Sequence, residues 1–196
     1  MGSAWEFPTS LNVGGVDYEI RTDYRVVLDL FTALSDPELT DADERMTAYM
    51  QSKVIMEIMF PDCDSIPMEH WQEALDKVSE FIDMGISDDR KKPKTMDWEQ
   101  DAPILIPAIN KVLNCEIRAQ EYMHWWTFLG AYMEIGESLF SNVIHIRQKK
   151  AKGKKLEKWE QDFYKENQSL IDFKKKDQRS QEEKQKLMDY FGYKKK

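Results

Sequence analysis

From Tyr24 onward, large apolar residues recur every three or four positions in one segment after another. That spacing places them on one stripe of an α-helix, and a chain of such stripes folds by packing helix on helix. Tyr24, Val27, Leu28, Phe31 and Leu34 form the first stripe. Thr22-Asp23 offers side-chain oxygens to the free N–H groups of its first turn, and Asp36-Pro37 ends it. A second helix starts near Thr40-Asp41, carries Met46, Met50, Val54 and Ile58, and closes at Phe60-Pro61. A third begins near Ser65-Ile66-Pro67, with Met68, Trp71, Leu75, Val78 and Ile82 on its stripe. Residues 85–94 read as a polar linker. Asp97 caps a fourth helix reaching about Leu113, which Pro107 is expected to kink or split, with Pro103 tolerated in an early turn.

The strongest helical pattern spans 119–135, with Tyr122, Trp125, Trp126, Leu129, Tyr132 and Met133 on one face. A short helix over Ser138–Ile146, a basic loop over Gln148–Lys155 and a last amphipathic helix bearing Leu156, Trp159, Phe163, Leu170 and Ile171 complete the series. One segment departs from it. Leu11 to Ile20 alternates apolar and polar residues around Gly14-Gly15, a pair suited to the positive φ angles of a two-residue hairpin turn. The expected fold is mainly α: a compact helical domain over 1–173 with a small N-terminal β-hairpin at about 11–20. A basic C-terminal helical tail, 174–196, follows, with Leu187, Met188, Tyr190 and Phe191 as its anchors.

A chain of 196 residues buries roughly 70% of its unfolded surface, so it needs no disulfide or metal staple. Its two cysteines, Cys63 and Cys115, could pair, but read better as two small buried hydrophobes in a reducing cytoplasm. The longest uncharged run, Tyr122 to Met133, falls short of the ~20 apolar residues of a membrane span. The opening residues lack the basic and apolar regions of a secretory signal.

Charge is lopsided. Residues 147–196 hold 17 Lys and Arg against 9 Asp and Glu, whereas residues 1–146 hold 11 against 27. Such asymmetry suits nucleic-acid binding or self-association through opposite charges. A solvated helical tail is the preferred reading and nucleic acid is disfavoured, because the lysines are interleaved with Glu and Asp and no nucleic-acid motif accompanies them, and the acidic body further opposes a polyanion.

The residues carry no phosphate-cradling glycine loop, no nucleophile elbow and no zincin motif. His70, His124 and His145 stand apart from the cysteines, and the acidic pairs at 41–44, 62–64 and 88–89 lack a cation-loop pattern. No catalytic, cofactor or metal residue is assigned, and the chain is read as non-enzymatic. The feature singled out as a contact site is His124, Trp125, Trp126 and Phe128. Adjacent tryptophans more often flank a buried face than make a binding surface, and a buried indole N–H needs an acceptor. Eleven methionines, among them Met46, Met50, Met56 and Met59, offer either core filling or an adaptable apolar surface.

Three blocks resemble the bacteriophage gp-fifteen family of tailed phages and prophages of Gram-positive bacteria. The opening, from Pro8, resembles a family start in which a short strand pair ends in Thr-Asp-Phe/Tyr-Arg; here these are Thr22, Asp23, Tyr24 and Arg25. Residues 101–136 resemble its later signature, in which an acidic residue opens a helix and a His-Trp-Trp-x-Phe cluster follows. His124, Trp125, Trp126 and Phe128 fill that cluster. The third block is Phe140 to Arg147, then a lysine-rich loop and an aromatic-containing helix. The resemblance covers nearly all of 8–173, in helical pattern alone from about 36 to 96. It implies a tail assembly chaperone that coats the tape measure protein in the host cytoplasm and is absent from the mature virion. The implied partners are the tape measure protein, other copies of the chain and the major tail protein. The rival reading is a phage protein that binds and inhibits a host defence or regulatory protein.

Overall fold

The computed structural model describes residues 5–36, 39, 44–86 and 93–174. The expected tail beyond Lys174, the expected second-helix start near Thr40-Asp41 and the acidic residues Asp88-Asp89 lie outside the described residues. The chain forms an N-terminal hairpin followed by helices, as its pattern requires. Strands β1 (Ser10–Val13) and β2 (Val16–Glu19) pair antiparallel, with Val13 opposite Val16. Gly14 and Gly15 make the turn with φ of 59° and 82°, the double positive φ of a type I′ hairpin. Gly14 also donates its N–H to Glu73 Oε2 at 3.0 Å. A Cβ there would sit 2.9 Å from the His70 ring, so this position admits only glycine without rearrangement.

The helices are α1 (Tyr24–Leu34), α2 (Glu44–Met59), α3 (Trp71–Ile82), α4 (Trp98–Leu113), α5 (Trp125–Met133), α6 (Leu139–Ala151), α7 (Lys158–Glu166) and α8 (Gln168–Ile171). Short 3₁₀ turns fall at Cys63–Ser65, Met68–His70 and Ile117–Ala119. The hairpin lies on α3, α2 packs between α1 and α3, and α4 packs on α1, α5 and α6. Met50, Met56 and Met59 are buried and Met46 packs on the core, so the methionines of α2 fill the interior. None of the described helices is long and apolar enough to cross a membrane.

Four expectations are corrected. The two prolines do not divide α4, which runs unbroken through Pro103 and Pro107. Both prolines are exposed, so the carbonyls they leave without an N–H donor face water. Second, α5 starts at Trp125 and not near 119, and Tyr122 and Met133 are exposed. Long-range backbone hydrogen bonds from Tyr24 to Met123 and from Trp125 to Thr22 hold Met123 and His124 out of the helix, with His124 extended. Third, the basic stretch begins as helix, because α6 continues to Ala151. Its terminal carbonyls favour cations, and Lys149 and Lys150 there meet Glu160 and Asp172. Fourth, the final helix is two, broken at Asn167, whose side chain donates to Phe163 O at 3.0 Å.

A second, smaller cluster of Val143, Ile146 and Ile171 joins α6 to α8, with Leu156, Phe163 and Leu170 around it. One buried cation organises it. Arg147 pairs bidentately with Asp101, at 2.6 and 2.8 Å. Its other donors reach Ile171 O, Leu170 O and Thr95 O. All five guanidinium hydrogens are thereby used, and the Phe173 ring lies 4.3 Å from the cation. The helix-opening acid is Asp97, which caps α4. Asp101, one turn further, is the partner of Arg147.

Arg147→Met strips Asp101 of its cation while leaving the carboxylate buried. It is expected to cost about 3–5 kcal/mol, read as a lower urea midpoint. Arg147→Met/Asp101→Leu should recover much of that loss, since no unpaired charge remains.

Candidate functional site

The two most specific sequence blocks, Thr22-Asp23-Tyr24-Arg25 and His124-Trp125-Trp126-x-Phe128, meet in space. Asp23 and His124 form an isolated antiparallel bridge. Tyr24 N–H donates to Met123 O at 3.0 Å and Trp125 N–H to Thr22 O at 2.7 Å. The Asp23 carboxylate does three tasks at once. It caps α1 by accepting from Arg25 N–H at 2.9 Å, accepts from Met123 N–H at 3.2 Å, and pairs with the Arg25 guanidinium at 3.1 Å. Arg25 then reaches the carbonyls of Gln120 and Ile117. Thr22 Oγ1 and the Tyr122 hydroxyl share a hydrogen bond of 2.7 Å.

The turn supplying Ile117 is itself held in place. Asn110 Oδ1 accepts from Ile117 N–H, and Glu116 accepts from Asn110, Arg118 N–H and the Arg118 guanidinium. The Arg118 hydrogen bonds hold Glu116 down to about 2.

His124 is the N-cap of α5. Its Nδ1 accepts from Trp126 N–H at 3.1 Å, which leaves the proton on Nε2, 3.1 Å from Pro8 O. The ring stacks on Phe7 at 4.4 Å. Burial lowers its pKa, and the Pro8 hydrogen bond only partly offsets that. The two tryptophans solve a specific problem. A helix ends with carbonyls that lack intrahelical donors, and Trp125 Nε1 and Trp126 Nε1 donate to Ile82 O and Phe81 O at the end of α3, each at 2.8 Å. Trp125 stacks on Phe128, and Phe128 on Tyr24.

His124, Trp125 and Phe128 are thus buried, and only Trp126 is half-buried at the surface. The sequence reasoning missed the partners: Asp23 as a clamp, Phe81, Trp98 and Arg147. No spacing rule links residues a hundred positions apart, although Asp23 stood out as a cap.

Other candidate chemistry is sparse. Cys63 and Cys115 are free and partly buried, and burial pushes the Cys63 thiol up. No three His, Cys, Asp or Glu side chains among the described residues are placed to hold a metal ion. Phe31, Leu34, Met96 and Trp98 line an open cleft of about 230 Å³ with Lys94 and Asp97 at its edge, below the ~300–1,000 Å³ of ligand pockets. Glu160 is fully buried, accepting from Lys149, His145 and Glu157 N–H. The Lys149 hydrogen bond, above all, holds it down to about 2.

A family model described as bacteriophage Gp15 protein matches residues 6–173. The chain belongs to this family. The matched segment ends on Phe173, over Arg147, and takes in Phe7, stacked on His124. Membership supports a role in phage structure or assembly. Neither a curated protein nor a solved structure matches the chain.

Trp125→Ala is expected to cost about 3–5 kcal/mol and Trp126→Ala less, as measured by urea unfolding. An unchanged midpoint for Trp125→Ala would contradict its core placement. His124 supplies a pH signature. With its folded pKa below the unfolded one, its contribution is complete above about pH 6.5 and falls away as pH drops through the folded pKa. Stability lost between about pH 7.5 and about pH 5 should therefore shrink in His124→Asn, which keeps a capping side chain but does not titrate.

Proposed function

We propose that the chain is a non-enzymatic tail assembly chaperone that binds the tape measure protein while the tail is built. It acts in the host cytoplasm and is absent from the mature virion. The observation that carries this reading is the family match across residues 6–173, joined to the resemblance of its motif blocks to phage tail chaperones. Surface chemistry is compatible. Trp5, Tyr49, Met68, Met133, Leu139 and Trp159 are exposed at separate places. A binder of a long apolar-striped polypeptide needs many moderate contacts, and linking copies multiplies them through avidity. Self-association therefore belongs to the proposal, with the acidic body of one copy against the basic C-terminal region of the next. The major tail protein is a further proposed partner.

The test is co-expression with the tape measure protein of the same phage, followed by affinity purification and intact mass. The expected result is a tape measure protein that is soluble only in the presence of this chain, with several copies bound to each. An insoluble tape measure protein beside a chain that elutes alone would overturn the proposal.

A further inference from the structure

The turn from α6 to α7 is rich in exposed lysine. Where α6 ends and α7 begins, Lys152, Lys154, Lys155 and Lys158 are all exposed. Lys149 and Lys150 nearby are tied to Glu160 and Asp172, whereas no ion pair among the described residues engages these four. Among them Trp159 stands 51% exposed. Its ring is preset, stacked on His145 at an interplanar angle of 12° and anchored by Nε1 donating to Glu157 at 3.1 Å. An exposed large aromatic with a fixed hydrogen bond, beside exposed basic side chains, has the make-up of an interface anchor.

A complementary face lies elsewhere on the same molecule. Asp17 and Glu19 on β2, Asp62 and Asp64 beside the first 3₁₀ turn, and Glu69 are exposed. Met68 stands among them, 68% exposed. The hairpin packs on α3, whereas α7 and α8 pack with each other and α8 on α6, so the two faces belong to different parts of the helical packing. Like faces repel and unlike faces attract, which favours a heterologous contact over a two-fold one. A polyanion suits the lysine face less well, because residues 1–146 hold 27 acidic against 11 basic residues.

We propose that the lysine face around Trp159 docks on the acidic hairpin end of a second copy, joining copies head to tail. This rests on the assembly reading above and names the contact through which copies join. Sedimentation velocity of the full chain tests it at low salt and at about 1 M salt, where the screening length falls to about 3 Å. The expected result is association at low salt that dissolves at high salt. Lys154→Glu/Lys155→Glu/Lys158→Glu and Asp62→Lys/Asp64→Lys/Glu69→Lys should each be monomeric, and mixing the two should restore association. Melting temperatures near that of the unmodified chain show that both variants fold.

A chain that is monomeric at both salts, or variants that associate as the unmodified chain does, overturns the contact. So does association lost on nuclease treatment, or lost on removing residues 175–196 while the lysine reversal changes nothing. The tape measure assay separates the two ideas: a monomeric chain that still keeps the tape measure protein soluble sinks this contact alone. A chain that associates head to tail beside an insoluble tape measure protein sinks the chaperone reading alone.

Discussion

The Asp23 carboxylate is the constraint on which the architecture turns. Within one turn of chain it ends the hairpin segment, starts α1 and holds the backbone of Met123. A carboxylate that accepts from two backbone N–H groups and a guanidinium is fully engaged, and such charge-assisted bonds are the stronger class. Because Met123 and Trp125 are held against residues 22–24, His124 is delivered to cap α5 and both indoles are delivered to the end of α3. The helices α1, α3 and α5 are thereby locked to one another through the short stretch that leads into α5, and His124 Nε2 ties that stretch to Pro8 O ahead of the hairpin.

Arg147 does comparable work at the other end of the chain. It gathers the carbonyls of Leu170 and Ile171, the start of α4 and the Asp101 carboxylate. The small apolar cluster of Val143, Ile146 and Ile171 offers modest burial by itself. The buried ion pair adds directional contacts, since Arg147 uses two of its donors on the carbonyls of Leu170 and Ile171 in α8. Fold and surface thus divide the labour. The aromatic and ionic residues of the motif blocks hold the interior together, while the lysines around Trp159 and the acids around Met68 stay exposed at the surface.

Much of the helical plan was legible from spacing. The stripes of α1 and α2, the Asp23 and Asp97 caps and the Gly14-Gly15 turn rest on local physics that a sequence displays directly. The errors arose where distant groups override local preference. Residues 119–124 have helical spacing, yet Tyr24 and Thr22 claim the backbone of Met123 and Trp125. Pro107 has a helix-breaking reputation, yet it lies on the exposed face of α4, where a carbonyl without its donor is open to solvent. Lys149 and Lys150 read as loop until Glu160 and Asp172 come into view. The His-Trp-Trp-x-Phe cluster was legible as a unit of importance, but its role depended on carbonyls at the end of a helix forty residues earlier.

The helical character of the chain, the place of its hairpin turn, the caps of its first and fourth helices and the split between an acidic body and a basic end can all be read from the residues in order. Those properties follow from spacing, backbone freedom and composition, which act within a few residues. Packing in three dimensions was needed to show that Asp23 clamps Met123, that Arg147 finds Asp101 and that both indoles donate to the end of α3. Each of these depends on a buried donor meeting an acceptor far away in the chain, and that meeting is set by packing and not by sequence distance.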